Sequence, residues 1–417
     1  MTLKRTLPPI VVAAAMAIAC GVTLRFFPHM SEIGDFEVVQ VIGVDKKGDG
    51  VEVTLVADRE EAPGGGKPGG TGMTGIMSFE APTVFEAINE MNLYSDKRRH
   101  LGYVDFLLVG EDAARDDMAK YLDFFTRNHE TRFSMVVFIV RGATAKQLIK
   151  ETATANGRMT DALMSIDESA KMLSNSRMLR LIDVARMLGE PYAAAVVPTI
   201  IISDTDFAEI VGAETPGKAL VPDGFAVLRG GRLAGYYDSR LARAYNILTD
   251  KAYTSPVSVR GENGEYTALE LLQYDISFDT LWEAEDSTGI RYGVKLHASL
   301  MEQPGGENVF TDDGLQAIEN GAAELIKREL EDAVAASQRL GCDAIEAGRR
   351  VRMKYPVRWE KIADRWGELF PRMDIRIEVT CVINRSYEMR ERIGVQMAAA
   401  ATGDAATPDN GGEGGIG

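Results

Sequence analysis

The sequence predicts an α+β protein, with mixed sheets flanked by helices in two or three consecutive domains after an N-terminal membrane segment. Three observations carry this expectation. An uncharged run from Leu7 to Leu24 follows Lys4 and Arg5, the pattern of an export or anchoring segment. Beyond it, apolar spacings of period two and of period 3.6 alternate along a chain of 417 residues, long enough for more than one core. Near the end, two helices punctuated by Pro356 and Pro371 feed a strand in which Ile375, Ile377, Val379, Cys381 and Ile383 point one way and Arg376, Glu378 and Thr380 the other.

In chain order, positive residues before the apolar run leave the start inside and send the body across the membrane. Ala17-Ile18-Ala19-Cys20-Gly21 has the small residues of a lipoprotein cleavage box, so Cys20 is a candidate lipidation site; apolar residues continuing through Phe27 favour an uncleaved anchor, with Cys20 an ordinary residue within it. Phe36 to Val44 and Val51 to Ala57 read as a hairpin across an Asp- and Gly-rich turn. That turn lacks calcium-loop carboxylates, having Lys47 and Val56 where acids belong. Pro63 to Gly75 is glycine-rich around Lys67, but Pro68 stands where a phosphate loop needs Ser or Thr, so a surface loop is expected.

A short helix around Phe85, Ile88 and Met91 comes next. Gly102 to Val109 then reads as a strand, Asp112 to Thr126 as a helix, Phe133 to Val140 as a buried strand and Ala143 to Thr152 as a helix. Met159 to Met172 and Met178 to Met187 are methionine-rich helices, whose stripes suit a core or an adaptable contact face. Pro198 to Ile201 is a strand. A hairpin formed by Gly224 to Leu228 and Arg232 to Tyr236 is expected to open a second unit, followed by a helix from Asp238 to Leu248. Strands around Glu265 to Ser277 and Tyr292 to Leu300 come next, with a long helix from Asp313 to Leu340 stopped by Gly341 and packed on their sheet. Trp359 and Trp366, seven apart, should share one helix face with Ile362 as core anchors, and Gly348 in a helical run suggests close backbone approach.

Charge and chemistry exclude several classes. A net charge of −16 disfavours nucleic acid as a partner, since phosphate backbones require clustered Lys and Arg. It also disfavours adhesion to anionic lipid through a basic surface, leaving the N-terminal segment as the means of attachment. Cys20, Cys342 and Cys381 have no metal-ligand spacing, and His29, His100, His129 and His297 sit singly. No HExxH, Gly-x-Ser-x-Gly or Cys-x-x-Cys occurs. The sequence therefore marks no catalytic, cofactor-binding or metal-ligating residues.

Asp343, Gly348, Lys354, Tyr355, Pro356, Trp359, Trp366, Phe370 and Pro371, in that order before an alternating strand, resemble the C-terminal hallmark of the Ger(x)C spore-germination proteins. A strand ending at Gly110-Glu111, then a helix followed by Arg127, Glu130 and Arg132, resembles a second hallmark; an ion pair of these arginines with Glu130 is expected at the helix end. GFAVLRGGRLAGYYD, Gly224 to Asp238, resembles a third, and Gly43-Val44-Asp45 matches the family's first-strand Gly-x-Asp. Glu32-Ile33 aligns with a further family pair, but Phe27 stands where the lipidated cysteine is usual.

The apolar run sets an anchor over 1–28 and the Ala- and Gly-rich end a disordered tail over 393–417; the resemblance implies an N-terminal α/β domain over 30–203 and a C-terminal α+β domain over 216–392 with a division near 262 left open. It further implies a non-enzymatic accessory subunit of a spore germinant receptor, without cofactors, on the extracytoplasmic face of the spore inner membrane. Its partners would be a polytopic permease-like subunit and a second integral-membrane subunit. Two other classes compete: an exported solute-binding or sensor lipoprotein, which needs a cleft between lobes, and an exported hydrolase with an unmarked acidic pair.

Overall fold

The computed structural model describes residues 36–58, 74–94, 98–153, 159–206, 218–261, 264–283, 286–303 and 312–384, with isolated positions near the start. Apart from Ala13, Ala14 and Met16, the N-terminal run expected to anchor the chain lies outside the described residues, as do Cys20 and the expected tail over 393–417, and among the described residues no helix is long and apolar enough to cross a membrane.

Two sheets organise these residues. The first contains β1 (Phe36–Lys47), β2 (Gly50–Asp58), β3 (Thr74–Ala81), β4 (Arg98–His100), β5 (Phe106–Gly110), β6 (Val136–Val140), β7 (Ala195–Asp206), β8 (Lys218–Arg229) and β9 (Arg232–Tyr237). Its order is β3-β2-β1-β5-β6-β7-β8-β9, with β4 beside the start of β1. The central strands β1, β5, β6 and β7 run parallel, and antiparallel hairpins extend both flanks.

Parallel strands need both faces covered, and the sequence supplies this with unbroken apolar runs. In β5, Leu107 and Val109 face α1 (Val84–Met91), α2 (Glu111–Arg127) and α5 (Leu181–Leu188). Phe106 and Leu108 face the opposite layer, α3 (Ala145–Ala153) and α4 (Met159–Leu173).

The second sheet, β10 (Ser255–Arg260), β11 (Tyr266–Glu283), β12 (Asp286–Glu302) and β13 (Asp374–Ile383), follows sequence order, antiparallel except for the parallel β12–β13 pair. One face is covered by α6 (Ser239–Leu248), α7 (Asp312–Arg339), α8 (Ala347–Lys354) and α9 (Pro356–Ile362), which bury Ile247, Ile326, Leu330, Val351 and Ile362 against Leu271, Tyr292, Leu296 and Ile377. The alternation of β13 is as expected, with Ile377, Cys381 and Ile383 buried and Arg376, Glu378 and Thr380 exposed.

Two expectations are corrected. The hairpin from Gly224 to Tyr236 completes the first sheet instead of opening a second unit. Phe225 and Val227 pack one of its faces and Ala226 and Leu228 the other, so β8 needs a partner at each side and finds it in β7 and β9. Trp359 and Trp366 do not share one helix: α9 gives way to a 3-10 turn at Ala363–Arg365 before α10 (Trp366–Leu369), and the turn still directs both rings inward. Strands β3, β4 and β10 were not anticipated. Each borders a stretch rich in Gly, Pro or charge, which masks a short alternation.

Candidate functional site

The C-terminal hallmark closes on one buried carboxylate. Gly341 adopts φ +66° at the end of α7, and the chain turns so that Ser337 Oγ donates to the Cys342 carbonyl (2.8 Å) and accepts from the Ala344 N–H (2.9 Å). Asp343 is 1% exposed. Its carboxylate accepts from Ala347 N–H at 2.9 Å, Gly348 N–H at 2.6 Å and Trp366 Nε1–H at 3.1 Å. It thereby satisfies two of the orphan donors at the start of α8 and the indole of α10 at once.

Gly348 is required by proximity: a Cβ there would lie 2.7 Å from Trp366 Nε1 and 3.0 Å from Trp359 Cη2. The two indoles sit 5.1 Å apart, and Phe370 follows Trp366 at 6.1 Å. Lys354 donates to the Phe278 carbonyl (2.7 Å) and Tyr355 to the Asp279 carboxylate (2.5 Å), fixing the α8–α9 corner to β11. Burial pushes the Asp343 carboxyl up to about 6, against the pull of its three N–H donors.

This hub also joins the two sheets. The Asp343 carbonyl accepts from Ala194 N–H at 3.0 Å, just before β7, and Tyr192 meets Trp359 edge-on at 4.8 Å. Arg352 pairs with Glu190 and bonds Tyr192. Nearby, Gly235 of β9 lies against Leu340, and Tyr237 donates to the Ala333 carbonyl (3.3 Å), so the third hallmark grips α7.

The first sheet carries a counterpart. Asp45, 2% exposed at the tip of β1, accepts from Ala145 N–H (2.7 Å) and Lys146 N–H (2.9 Å), capping α3 a hundred residues away. Gly110 leaves the room: a Cβ there would strike the Asp45 carboxylate. Glu111, next to it, accepts from Gly142 N–H at 2.5 Å. The ion pair expected between Glu130 and its flanking arginines does not form. Arg127 reaches back one turn to Asp123 (2.8 Å), and Arg132 lies over the Tyr103 ring at 5.4 Å.

Residues 29–202 match the family described as spore germination protein N-terminal domain, and residues 223–387 match spore germination B3/GerAC like, C-terminal. The chain belongs to the GerAC spore-germination family. Among its relatives in Bacillus subtilis (strain 168), spore germination protein KC is 20% identical over 370 residues, covering 85% of this chain and 90% of that protein. Spore germination protein B3 is 20% identical over 335 residues, 78% and 83% of the two chains. The crystal structure of the GerBC protein superposes with TM-score 0.55 at 16% identity, covering 82% of this chain and 96% of that one, which establishes a shared fold.

In this GerAC-family chain, the hallmark residues around Asp45 and Asp343 therefore pack and cap. Asp343, Gly348, Trp359, Trp366 and Phe370 form the hub, Lys354 and Tyr355 tie its corner to β11, and the Gly-x-Asp and Gly-Glu pairs converge on the start of α3. Cys342 and Cys381 are buried, and burial pushes their thiols up to about 11 and about 12, so neither offers a thiolate near neutrality. His100 Nδ1 accepts from Gly102 N–H (2.9 Å), and His297 pairs at 2.9 Å with Asp275 on the open face of the second sheet. Among the described residues no three His, Cys, Asp or Glu are grouped to hold a metal ion.

Sequence reasoning missed a cleft of about 680 Å³ between α4 and α5 of the first unit and the segment that leads into β10, walled by Asp167, Lys171 and Arg177 on one side and Asp250, Lys251 and Tyr253 on the other. Arg177 is 7% exposed; it donates to the Tyr245 hydroxyl (2.6 Å) with its guanidinium 5.1 Å from that ring. Burial, with Arg177 adding to it, lowers the Lys251 ammonium below its usual range. The available signal was the polar run Ser174-Asn175-Ser176-Arg177 between two methionine-rich helices, all four residues of which are buried. The methionines divide: Met159 is core, whereas Met164 and Met172 are exposed.

Proposed function

We propose that this chain is a non-enzymatic, membrane-anchored subunit of a spore germinant receptor, acting in nutrient-triggered germination through assembly and coupling. The N-terminal apolar segment would hold the two-sheet body on the extracytoplasmic face of the spore inner membrane, beside a permease-like subunit and a second integral-membrane subunit. One observation carries the reading: both family domains follow, in order, an apolar run preceded by Lys4 and Arg5. The buried placement of Asp45, Asp343, Trp359 and Trp366 supports it, because a coupling subunit must hold its halves in fixed relation and needs no reacting group.

The test is deletion of the gene in the spore-forming host, scoring loss of refractility across amino acids, sugars and nucleosides. The reading expects a defect confined to particular germinants and restored by the wild-type gene. Normal germination with every germinant, in a strain lacking redundant receptors, would overturn it. The cleft beside Arg177 and Lys251 favours a second reading, an exported solute-binding or sensor lipoprotein. That reading predicts saturable heat of binding when the purified full-length chain in detergent is titrated with the same small molecules.

A further inference from the structure

The parallel strands β1, β5 and β6 all begin at one end of the first sheet, and the chain that arrives from the N-terminal apolar run enters there at Phe36. At that end three large apolar side chains face outward: Tyr103 at 52% exposure, Phe133 at 46% and Ile182 at 46%. They belong to one rim. Asp105 links the start of β5 to Gln40 and to Val136 through backbone bonds of 2.9 and 2.7 Å, and Ile182 N–H donates to the Phe133 carbonyl at 3.2 Å. Arg132 lies over the Tyr103 ring and His100 meets its edge at 5.4 Å. Tyrosine with arginine beside apolar side chains is the composition of a membrane interface, where an amphipathic ring sits among headgroups.

The opposite end of β1 contrasts with it. There charge dominates, with Lys46 paired to Asp116 and Lys47 to Glu80 around the turn at Gly48 and Asp49, and the exposed ring of Phe85 nearby lies against Phe124. The tether also keeps the entry end close to the apolar run. Between Phe27, the last residue of the apolar stretch, and Phe36 lie eight residues, which reach at most about 28 Å when extended.

We propose that the rim formed by Tyr103, Phe133 and Ile182 rests against the lipid headgroup layer, orienting the first sheet with its parallel strands rising from the membrane. The inference rests on the anchored reading above. Attachment comes from the N-terminal segment; the rim adds shallow apolar contact and a fixed tilt. Exposed Asp105 and Glu130 flank the same rim, so the contact draws on aromatic partition rather than on anionic lipid.

The test uses the full-length chain reconstituted in phosphatidylcholine–phosphatidylglycerol vesicles whose acyl chains carry bromine at a shallow or a deep position. Tyr103→Trp and Phe133→Trp keep an aromatic at exposed sites; Asp49→Trp marks the far end, and the parental chain with its three tryptophans is the blank. The expected result is shallow quenching at positions 103 and 133 severalfold above that at position 49. Equal quenching at all three, in protein that resists a carbonate wash, would overturn the orientation and leave the anchor standing. Release of the chain by the wash would overturn both.

Discussion

Two buried aspartates invite comparison. Asp45 in the first sheet and Asp343 beside the second both accept backbone N–H groups at a helix start, and each has a glycine beside it, Gly110 clearing space for the Asp45 carboxylate and Gly348 for the indoles packed around Asp343. They differ in what else they hold. Asp45 stands beside the Lys146–Glu52 pair, and its reach is across one sheet to one helix. Asp343 takes an indole as a third donor, and its own carbonyl holds Ala194 of the other sheet's chain. The first is a cap within a unit and the second a joint between units. A family hallmark can therefore mark a position where several donors must converge without marking a site of chemistry.

The sharpest way to break this comparison is to empty the joint. Trp366→Ala removes a fully buried indole and one donor to Asp343, with a cost of about 3–5 kcal/mol, so folded protein recovered from cells should fall steeply. Normal stability with lost assembly would instead make Trp366 a contact residue.

The pH response of the joint comes next. The carboxyl of Asp343 moves from an ordinary 3.8 up to about 6 on folding, so between those values the native chain keeps a proton that the unfolded chain has released. Its stabilising contribution is whole below about pH 4 and lost as pH rises through about 6, at most about 3 kcal/mol. Asp343→Asn removes this dependence; urea unfolding of both proteins from pH 4 to 7 should give a stability gap that narrows as pH rises. Parallel pH profiles would contradict the assignment.

Gly348→Ala forces a methyl against two indoles, with a destabilisation of about 1–3 kcal/mol by denaturant midpoint. Asp45→Ala should cost about 1–2 kcal/mol and act locally, with faster amide exchange in α3 and little change around α8. The smallest effect belongs to Arg127→Ala, which breaks an exposed pair with Asp123 and should leave the denaturant midpoint unchanged. A germination defect from that variant at normal protein level would place a partner contact at Arg127, unlike every other hallmark position considered.

Much of the fold was legible because burial writes itself as periodicity. The alternation of Ile375 to Ile383, the apolar run of β6 and the stop at Gly341 each follow from local rules, and Gly348 beside two tryptophans was readable as a close approach. The membership of the β8–β9 hairpin was not, since its pairing with β7 depends on which sheet offers a free edge, a tertiary fact absent from its own residues. The joint at Asp343 was visible as a motif but not as a carboxylate with three donors, because Trp366 lies beyond a helix break that the seven-residue spacing conceals. The cleft beside Arg177 depends on segments some seventy residues apart, Arg177 and Lys251, and no spacing rule links them.

Purification of the full-length chain from spore membranes in a mild detergent, through a tag placed after residue 417, tests the central claim most directly. Recovery of a permease-like and a second integral-membrane protein in fixed proportion to the chain is the predicted result. Recovery of the intact, folded chain alone, under conditions that keep other membrane complexes together, would contradict it.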